Sequence, residues 1–362
     1  MKNKNILEFC LAHGLGGLEM YISSCYEEFS KKTVCKVVVS PDSKLDKYLD
    51  MSDKLYVKRS KFFPFISAWK LAKYIDKYEI DIVHFHWTKD IITAVLAKKM
   101  SKRKPKLVQS RHMNMTRFKD DFYHRWLYKN IDMMHAVTKQ VKAQLEKFIP
   151  KDIRPQIEMV YLGVKEPEIN EKRVELLRKK YHISDEFVIG IIGRIVEAKG
   201  QYKVIEAFAS LDTLNAKLLI VGSAMNEEYL VEVQKKIDQL EISDKVIFTG
   251  FTKEINEHIQ LLDVNVLATN NETFGLVIIE TMANKTPIIA TNNGGPLEVI
   301  VDGVNGMLFD GSSEDLALKI QKLYKGKVFA QSLTEHAYHT MHDKFEYTKQ
   351  LNKLYVNLQE EC

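Results

Sequence analysis

A short loop in the second half of the chain carries two cations. Residues 193–200 read GRIVEAKG and lie between a predicted buried strand and a predicted helix. Arg194 and Lys199 are therefore expected beside a helix N-terminus, where free N–H groups and the helix dipole already favour anions. This arrangement predicts a diphosphate site that works without a metal ion. Two solvated cations in a surface loop are the alternative.

Two glutamates flank seven residues further along the chain, in NETFGLVIIE at residues 271–280. We expect a helix to begin near Thr273, with Glu272 in the loop before it and Glu280 two turns further along. Glu280 would then be within reach of a ribose diol. The amides at the helix start, which could point at sugar hydroxyls, belong to Phe274, Gly275 and Leu276. Because glutamates are common in helices, this spacing alone is a weak signal.

Further candidates follow strands in the first half of the chain. The loop HGLGGLE at residues 13–19 places Gly16 and Gly17 at a helix N-terminus, either as an amide-rich turn for phosphate or as tight packing. A polar cluster after another strand could bind an anionic ligand or form an ordinary surface loop. That cluster consists of Arg111, Asn114 and Arg117.

Two histidines, His84 and His86, alternate along a predicted strand at residues 81–86. From this alternation we expect their side chains to point to opposite faces of the sheet. His86, at the strand end, is expected to line a ligand site. His84 is expected to be a core histidine whose hydrogen bonds are satisfied.

Composition restricts the class of protein. The chain has 362 residues, of which 45% are apolar and 28% charged, and its net charge is +5. These values are typical of a folded protein with two domains, and they fall short of a nucleic-acid-binding footprint. No stretch is long enough to span a membrane. The four cysteines, which have no metal-ligand spacing and indicate a reduced compartment, are Cys10, Cys25, Cys35 and Cys362. We expect neither a metal nor a cofactor.

Strand-like and helix-like segments alternate almost throughout, which predicts parallel sheets covered by helices on both faces. The pattern restarts after a Pro-rich, charged stretch at residues 150–170. We expect one domain at residues 1–165, completed by a final helix at about 346–362, and a second at 166–345. The predicted strands are residues 6–11, 36–39, 81–86, 107–110 and 134–137, then 187–193, 218–222, 246–250, 264–268 and 288–290. Ligands of such sheets bind at the carboxyl ends of the strands.

Together with PIIAT at residues 287–291 and GGPLE at 294–298, these segments resemble the large family 4 of retaining glycosyltransferases. The resemblance covers nearly the whole chain and is densest over residues 191–309. It implies the GT-B fold, in which two Rossmann-like, doubly wound domains face each other across a cleft. The absence of an Asp-x-Asp triplet agrees with diphosphate binding by cations rather than by a chelated metal.

The resemblance also implies roles for individual residues. Arg194 and Lys199 would bind the donor diphosphate and Glu280 the ribose. Glu272 and the amides after it would hold the transferred sugar. The residues implied at the remaining donor contacts are Phe251 beside the base, Gly16 and Gly17 at the phosphates, and His112 at a sugar hydroxyl. His112, Arg194, Lys199 and Glu272 are thus the expected catalytic residues. The residues expected at the acceptor are His86, Arg111, Asn114 and Arg117. Residues 161–165, YLGVK, depart from the usual family pattern at the hinge.

The implied reaction moves a hexose-type sugar from a nucleotide diphosphate sugar, most commonly a UDP-sugar, to a glycan acceptor. A lipopolysaccharide core or a lipid-linked oligosaccharide is an example of such an acceptor. Retention without an obvious nucleophile favours front-side attack, in which the departing phosphate takes the acceptor proton. A nucleotide-sugar epimerase of the same fold and a catalytically silent nucleotide-sugar-binding subunit are the alternatives. The N-terminal apolar run at residues 6–12 is too short for a signal peptide, so a cytoplasmic protein is expected.

Two basic segments suggest contact with a membrane surface. Residues 58–65, KRSKFFPF, mix cations with aromatic side chains, as an interfacial anchor does, although a loop that packs against the following helix would look the same. Residues 98–106 hold six basic side chains in nine positions and are equally well explained as a solvated helix end. Peripheral contact with the inner face of the cytoplasmic membrane is therefore one expectation.

Overall fold

The computed structural model describes residues 3–49, 54–60 and 63–360. Its chain divides into two compact units. Unit one comprises Met1–Leu162 and Thr348–Cys362, and unit two comprises Gly163–Tyr347. In the described part of the chain, no helix is both long and apolar enough to cross a bilayer.

Unit one is built on a parallel sheet of seven strands in the order β3-β2-β1-β4-β5-β6-β7. The strands are β1 (Ile6–Cys10), β2 (Cys35–Val39), β3 (Lys54–Tyr56), β4 (Ile82–Phe85), β5 (Lys106–Arg111), β6 (Met133–Ala136) and β7 (Gln156–Met159). The helices between them are α1 (Gly17–Phe29), α2 (Lys44–Tyr48), α3 (Pro64–Lys77), α4 (Ile91–Met100), α5 (Phe122–Tyr128) and α6 (Lys139–Phe148), with a 3₁₀ turn at Thr88–Asp90.

Both faces of this sheet are covered, which explains why its central strands carry buried apolar residues on both faces. Along β1, Phe9 packs in the cluster that contains Leu71 of α3, whereas Cys10 packs with Ile22 of α1 on the other face. All five positions of β1 are buried, including Glu8. A carboxylate in this position needs hydrogen-bond partners within the core.

Unit two contains a parallel sheet of six strands in the order β10-β9-β8-β11-β12-β13. The strands are β8 (Phe187–Ile192), β9 (Ala216–Val221), β10 (Val246–Gly250), β11 (Val264–Leu267), β12 (Ile288–Thr291) and β13 (Met307–Phe309). The helices that follow α6 along the chain are α7 (Glu171–Lys180), α8 (Gln201–Ala209), α9 (Glu227–Gln239), α10 (Ile255–Leu261), α11 (Leu276–Ala283), α12 (Pro296–Val299), α13 (Ser313–Lys325), α14 (Lys327–Phe345) and α15 (Tyr347–Gln359), with a 3₁₀ turn at Glu197–Lys199.

Helix α15 leaves unit two after its first residue and packs on unit one. The amide of Lys4 donates to Gln359 Oε1 at 2.7 Å, and the ring of Tyr355 lies 5.5 Å from that of Phe29, measured between centroids. The end of the chain is thus part of the first sheet's covering layer.

The expected fold class is confirmed: both units are parallel, doubly wound α/β structures, and every strand predicted from sequence is present. Three further strands, β3, β7 and β13, were not predicted. They lie at sheet edges and are short, so they lack the long apolar run that marks a central strand. Of the four cysteines, Cys10, Cys25 and Cys35 are buried free thiols, and Cys362 lies outside the described residues.

Candidate functional site

The loop after β8 in unit two is shaped by glycines. Gly193 has a φ of +147°, and its carbonyl oxygen lies 2.0 Å from where a Cβ on Gly222 would be, so only glycine at 222 lets the two backbones meet. Gly200 adopts a left-handed φ of +75°, and a Cβ there would lie 2.4 Å from the carbonyl oxygen of Ala268. These close approaches bring the turn that ends at Lys199 against the end of β11.

Lys199 and Glu272 form an ion pair, with Lys199 Nζ 2.9 Å from Glu272 Oε2. The pair joins the loop after β8 to the loop after β11, which are neighbouring strands. Both side chains are partly buried, at 26% and 19% exposed. The structure therefore brings two of the four expected catalytic residues into direct contact, a pairing that the sequence did not predict.

The backbone around Glu272 is held from a third loop. The amide of Gly295 donates to the Glu272 carbonyl oxygen at 2.9 Å, and a Cβ at 295 would lie 2.5 Å from Thr273 O. Phe274 is buried against Phe345, with ring centroids 5.8 Å apart. The side chain of Phe274 thus anchors the loop and does not face a ligand.

Helix α11 begins at Leu276, so the expected start near Thr273 is wrong. Its N-cap is Gly275, whose left-handed φ of +84° is incompatible with a helical turn at that residue. Glu272 still lies in the loop before the helix, as expected, and the first free amides are those that follow Gly275.

Glu280 lies on α11 with its side chain partly buried. Burial raises the pKa of Glu280 to about 7, and in the described part of the chain no charged neighbour offsets this effect. A carboxylate in such a place is poised to accept hydrogen bonds from a ligand.

Arg194 and Phe251, the remaining candidates in unit two, are exposed. Arg194 Nη1 lies 3.1 Å from Met225 Sδ, and the Arg194 carbonyl oxygen accepts from Gln201 Nε2 at 3.0 Å. Phe251 follows β10 and is 67% exposed, directly after Gly250 with its φ of +71°. An exposed aromatic ring after a strand end is suited to stacking on a base.

In unit one, a buried carboxylate holds two histidines. Glu8 Oε1 lies 2.9 Å from His84 Nδ1, and Glu8 Oε2 lies 2.8 Å from His86 Nε2. The expectation that the two histidines point to opposite faces is wrong, because residues two apart on a strand share a face. His84 is a satisfied core residue, as expected, since its Nε2 also bonds Ser110 Oγ at 2.7 Å.

The proton positions follow from Glu8. Burial acts to raise the pKa of Glu8, but its electrostatic interactions and hydrogen bonds with His84 and His86 lower the pKa below its ordinary value, so Glu8 is ionised at neutral pH. An ionised carboxylate only accepts hydrogen bonds, and His86 must therefore donate from Nε2. Its Nδ1 then accepts from His112 Nε2, 3.2 Å away. His112 is left with an acceptor nitrogen, Nδ1.

Burial keeps this pair of rings neutral. It lowers the pKa of His86 to about 4 and that of His112 well below its ordinary value, and nearby histidines act in the same direction. His86 is 1% exposed, so its ring does not line the surface of unit one as expected for an acceptor contact. The buried His86 ring instead contacts the more exposed His112 from the core side.

Arg111, also expected at the acceptor, is largely engaged by its own loop. Its Nε donates to Met113 O at 2.7 Å, its Nη2 to Asn114 O at 2.9 Å and its Nη1 to Thr88 Oγ1 at 2.5 Å. The guanidinium therefore orders the turn after β5. Arg111, Asn114 and Arg117 nevertheless line one pocket of unit one.

The glycine pair lies where the sequence predicts it. Gly16 is the N-cap of α1 and Gly17 its first residue, and the Gly16 carbonyl oxygen accepts from the Met20 amide at 3.0 Å. The roles of these glycines toward phosphate stay predictions.

Sequence reasoning missed two residues that the structure singles out, Glu8 and Lys119. Glu8 left a signal, since it is the one charge in an apolar strand. Lys119, which lines the pocket with Arg117, left none, because its burial arises from tertiary packing and not from a local pattern.

Comparison with known proteins identifies the family. Residues 15–166 match the model of Glycosyltransferase Family 4, and residues 173–340 match that of Glycosyl transferases group 1. The putative glycosyltransferase EpsD of Bacillus subtilis is 30% identical over 302 residues, 76% of each chain. N-acetyl-alpha-D-glucosaminyl L-malate synthase of Bacillus anthracis is 28% identical over 291 residues, 78% of this chain and 75% of its own.

Solved structures of GT-B glycosyltransferases share the fold. A glycosyltransferase from Rickettsia africae superposes with a TM-score of 0.87 at 24% identity and full coverage of both chains. HepE of Anabaena, solved in complex with UDP-glucose, has a TM-score of 0.86 at 19% identity and covers 98% of this chain and 99% of its own. From the two family models and the similarity to EpsD, this chain belongs to the family 4 glycosyltransferases of GT-B fold.

Proposed function

We propose that this glycosyltransferase moves a hexose-type sugar from a UDP-sugar to a glycan acceptor, with retention of configuration and without a metal ion. The observation that carries the proposal is the contact of Lys199 with Glu272 at the carboxyl edge of the second sheet. This contact places a cation that can bind a diphosphate next to a carboxylate that can bind sugar hydroxyls. HepE, of the same fold, is solved with UDP and with UDP-glucose.

Different residues of unit two bind different parts of the donor. Lys199 and Arg194 neutralise the diphosphate, whose charge grows as the glycosidic bond breaks. Glu272 and the amides at the start of α11 hold the sugar, Glu280 accepts from the ribose and Phe251 stacks on the base. Positioning and charge stabilisation are then the main sources of rate, with the departing phosphate taking the acceptor proton.

A direct test incubates the chain with radiolabelled UDP-glucose and a panel of other nucleotide sugars, together with candidate glycan acceptors. We expect transfer that survives excess EDTA and a product whose anomeric configuration, read by proton NMR, equals that of the donor. Activity restored only by manganese, or an inverted product, would contradict the proposal. Epimerised donor would indicate an epimerase, and binding without turnover a silent subunit.

We also propose that unit one touches a membrane surface through the start of α3. Lys61 and Phe62 of the basic aromatic segment lie outside the described residues. The described residues beside them expose large apolar side chains, namely Phe63 at 68%, Phe65 at 58%, Ile66 at 72% and Trp69 at 53%. Lys73 lies over the Trp69 ring, 3.6 Å from its centroid, so a cation borders this apolar face. Such a face suits the boundary of an anionic bilayer.

Replacing Phe65 and Ile66 by serine should weaken binding to vesicles of phosphatidylglycerol, because apolar area that enters the bilayer is lost. Added salt should weaken it further, since charge attraction is screened. Val328→Ser, which removes an apolar side chain that is 84% exposed in unit two, is the matched control and should bind as wild type does. Equal sedimentation of all three proteins with vesicles would dispose of the idea.

A further inference from the structure

A pocket of about 290 Å³ opens on unit one, between the turn after β4 and the loop after β5. Its volume is near the lower end of ligand pockets, which span roughly 300–1,000 Å³. The lining includes four cations and no carboxylate: Lys89, Arg111, Arg117 and Lys119. A concave site with this charge selects a small anion.

Lys119 is the unusual member of this set. It is 8% exposed, and burial lowers the pKa of Lys119, with the charges of Arg117 and Arg111 lowering it further. Asp121 is the acidic group that opposes this effect, but its carboxylate already accepts from the His124 amide at 3.1 Å and contacts His124 Nδ1 at 2.5 Å. Within the described residues, Lys119 has no carboxylate at ion-pair distance. An unpaired buried cation is costly unless an anion joins it.

The other three cations of the pocket differ in what they contact. Arg111 donates to the loop and so shapes the wall, while its charge still adds to the local potential. Arg117 is exposed, and Lys89 lies over the Trp87 ring, 5.2 Å from its centroid. Hydroxyl groups of Thr88 and Thr116 also line the pocket. The donors available for an anion are thus chiefly the ammonium of Lys119 and the guanidinium of Arg117.

We propose that this pocket binds a phosphate or carboxylate group of the acceptor, so that the acceptor is an anionic molecule. The proposal rests on the proposed transfer reaction and adds to it the chemical class of the second substrate. Phosphate and carboxylate oxygens match charged N–H donors, and such charge-assisted hydrogen bonds are about twice as strong as neutral ones. The group belongs either to a soluble molecule or to a lipid headgroup.

Thermal unfolding with and without inorganic phosphate tests the site, because a ligand of the folded state raises the midpoint by mass action. The variants are Lys119→Met and Arg117→Met, and Lys129→Met, an exposed lysine outside the pocket, is the control. Without phosphate, Lys119→Met should be at least as stable as wild type, since it removes an uncompensated charge. Phosphate should stabilise wild type and the control, and bind both pocket variants about tenfold or more weakly.

Glycerol phosphate and vesicles of phosphatidic acid distinguish a soluble acceptor from a lipid one. Loss of either interaction in the pocket variants alone supports the site and assigns the source. Equal binding by all four proteins, or no stabilisation of wild type by phosphate, glycerol phosphate or vesicles, overturns it. UDP-glucose binding, measured in parallel, should be unchanged in every variant. If the protein binds UDP-glucose and transfers its sugar but binds none of the anions, the proposed function stands and only the anionic class of the acceptor is wrong.

Discussion

Lys199→Ala should lower kcat by roughly 100- to 1,000-fold, the usual cost of removing one donor that stabilises transition-state charge. The chain should still fold and still bind UDP-glucose. A charge-assisted hydrogen bond contributes only about 1.5–3 kcal/mol to ground-state binding. Interactions that strengthen as the leaving phosphate gains charge appear in kcat instead.

The structure adds a second consequence of this substitution. Lys199 is paired with Glu272, and alanine leaves that carboxylate without its cation. The pair is partly exposed, so the stability cost should be no more than about 1 kcal/mol. Lys235→Ala, which removes an exposed lysine on α9, is the matched control and should retain both stability and turnover. A near-wild-type kcat for Lys199→Ala would show that the lysine serves only to hold Glu272.

Glu280 provides the contrast, because a ribose contact changes little during the reaction. Glu280→Gln should weaken donor binding and leave kcat nearly unchanged. The pKa of Glu280, raised to about 7 by burial, also predicts the pH dependence. The ionised form is the better acceptor, so wild-type affinity for UDP-glucose should rise between pH 6 and pH 8, and that of Glu280→Gln should stay flat. Calorimetric titration at both pH values measures this.

Glu8→Ala should destabilise the protein by about 3–5 kcal/mol, the range for removing one partner of a buried charged network. Glu8 is fully buried, and each of its carboxylate oxygens accepts from a histidine. Alanine leaves His84 Nδ1 and His86 Nε2 without an acceptor and opens a cavity. Urea unfolding at pH 7.5, where Glu8 is ionised and His86 neutral, measures the loss.

Glu8→Gln should cost much less, for a specific reason. The glutamine oxygen can accept from His86 Nε2, which keeps the proton arrangement that His112 depends on. The glutamine amide can donate to His84 Nδ1 if the proton of His84 moves from Nδ1 to Nε2. His84 Nε2 then donates to the Ser110 hydroxyl, which can act as an acceptor as well as a donor. Turnover of Glu8→Gln should therefore remain close to wild type. If alanine and glutamine were equally destabilising, the hydrogen bonds to the histidines would not be what stabilises this core.

Sequence patterns were sufficient to predict the two parallel sheets and the loops that carry the donor candidates. Central strands such as β8 are buried on both faces, so they are continuous apolar runs followed by glycine turns. Edge strand β7 has no fully buried residue, so its sequence mixes polar and apolar residues and did not predict a strand. Helix α11 was placed three residues too early, because the left-handed conformation of Gly275 is a property of the folded loop.

By itself, the sequence determined the fold class, the family and the loops that hold Arg194, Lys199, Glu272 and Glu280, because these depend on local periodicity and on motifs of adjacent residues. Only the tertiary structure decided which side chains meet. Lys199 and Glu272 are 73 residues apart, and Glu8 and His84 are 76 apart, so their contacts exist only once neighbouring strands have paired. The charge of the pocket around Lys119 was decided in the same way, since burial and the absence of a carboxylate partner arise from packing, which no local pattern encodes.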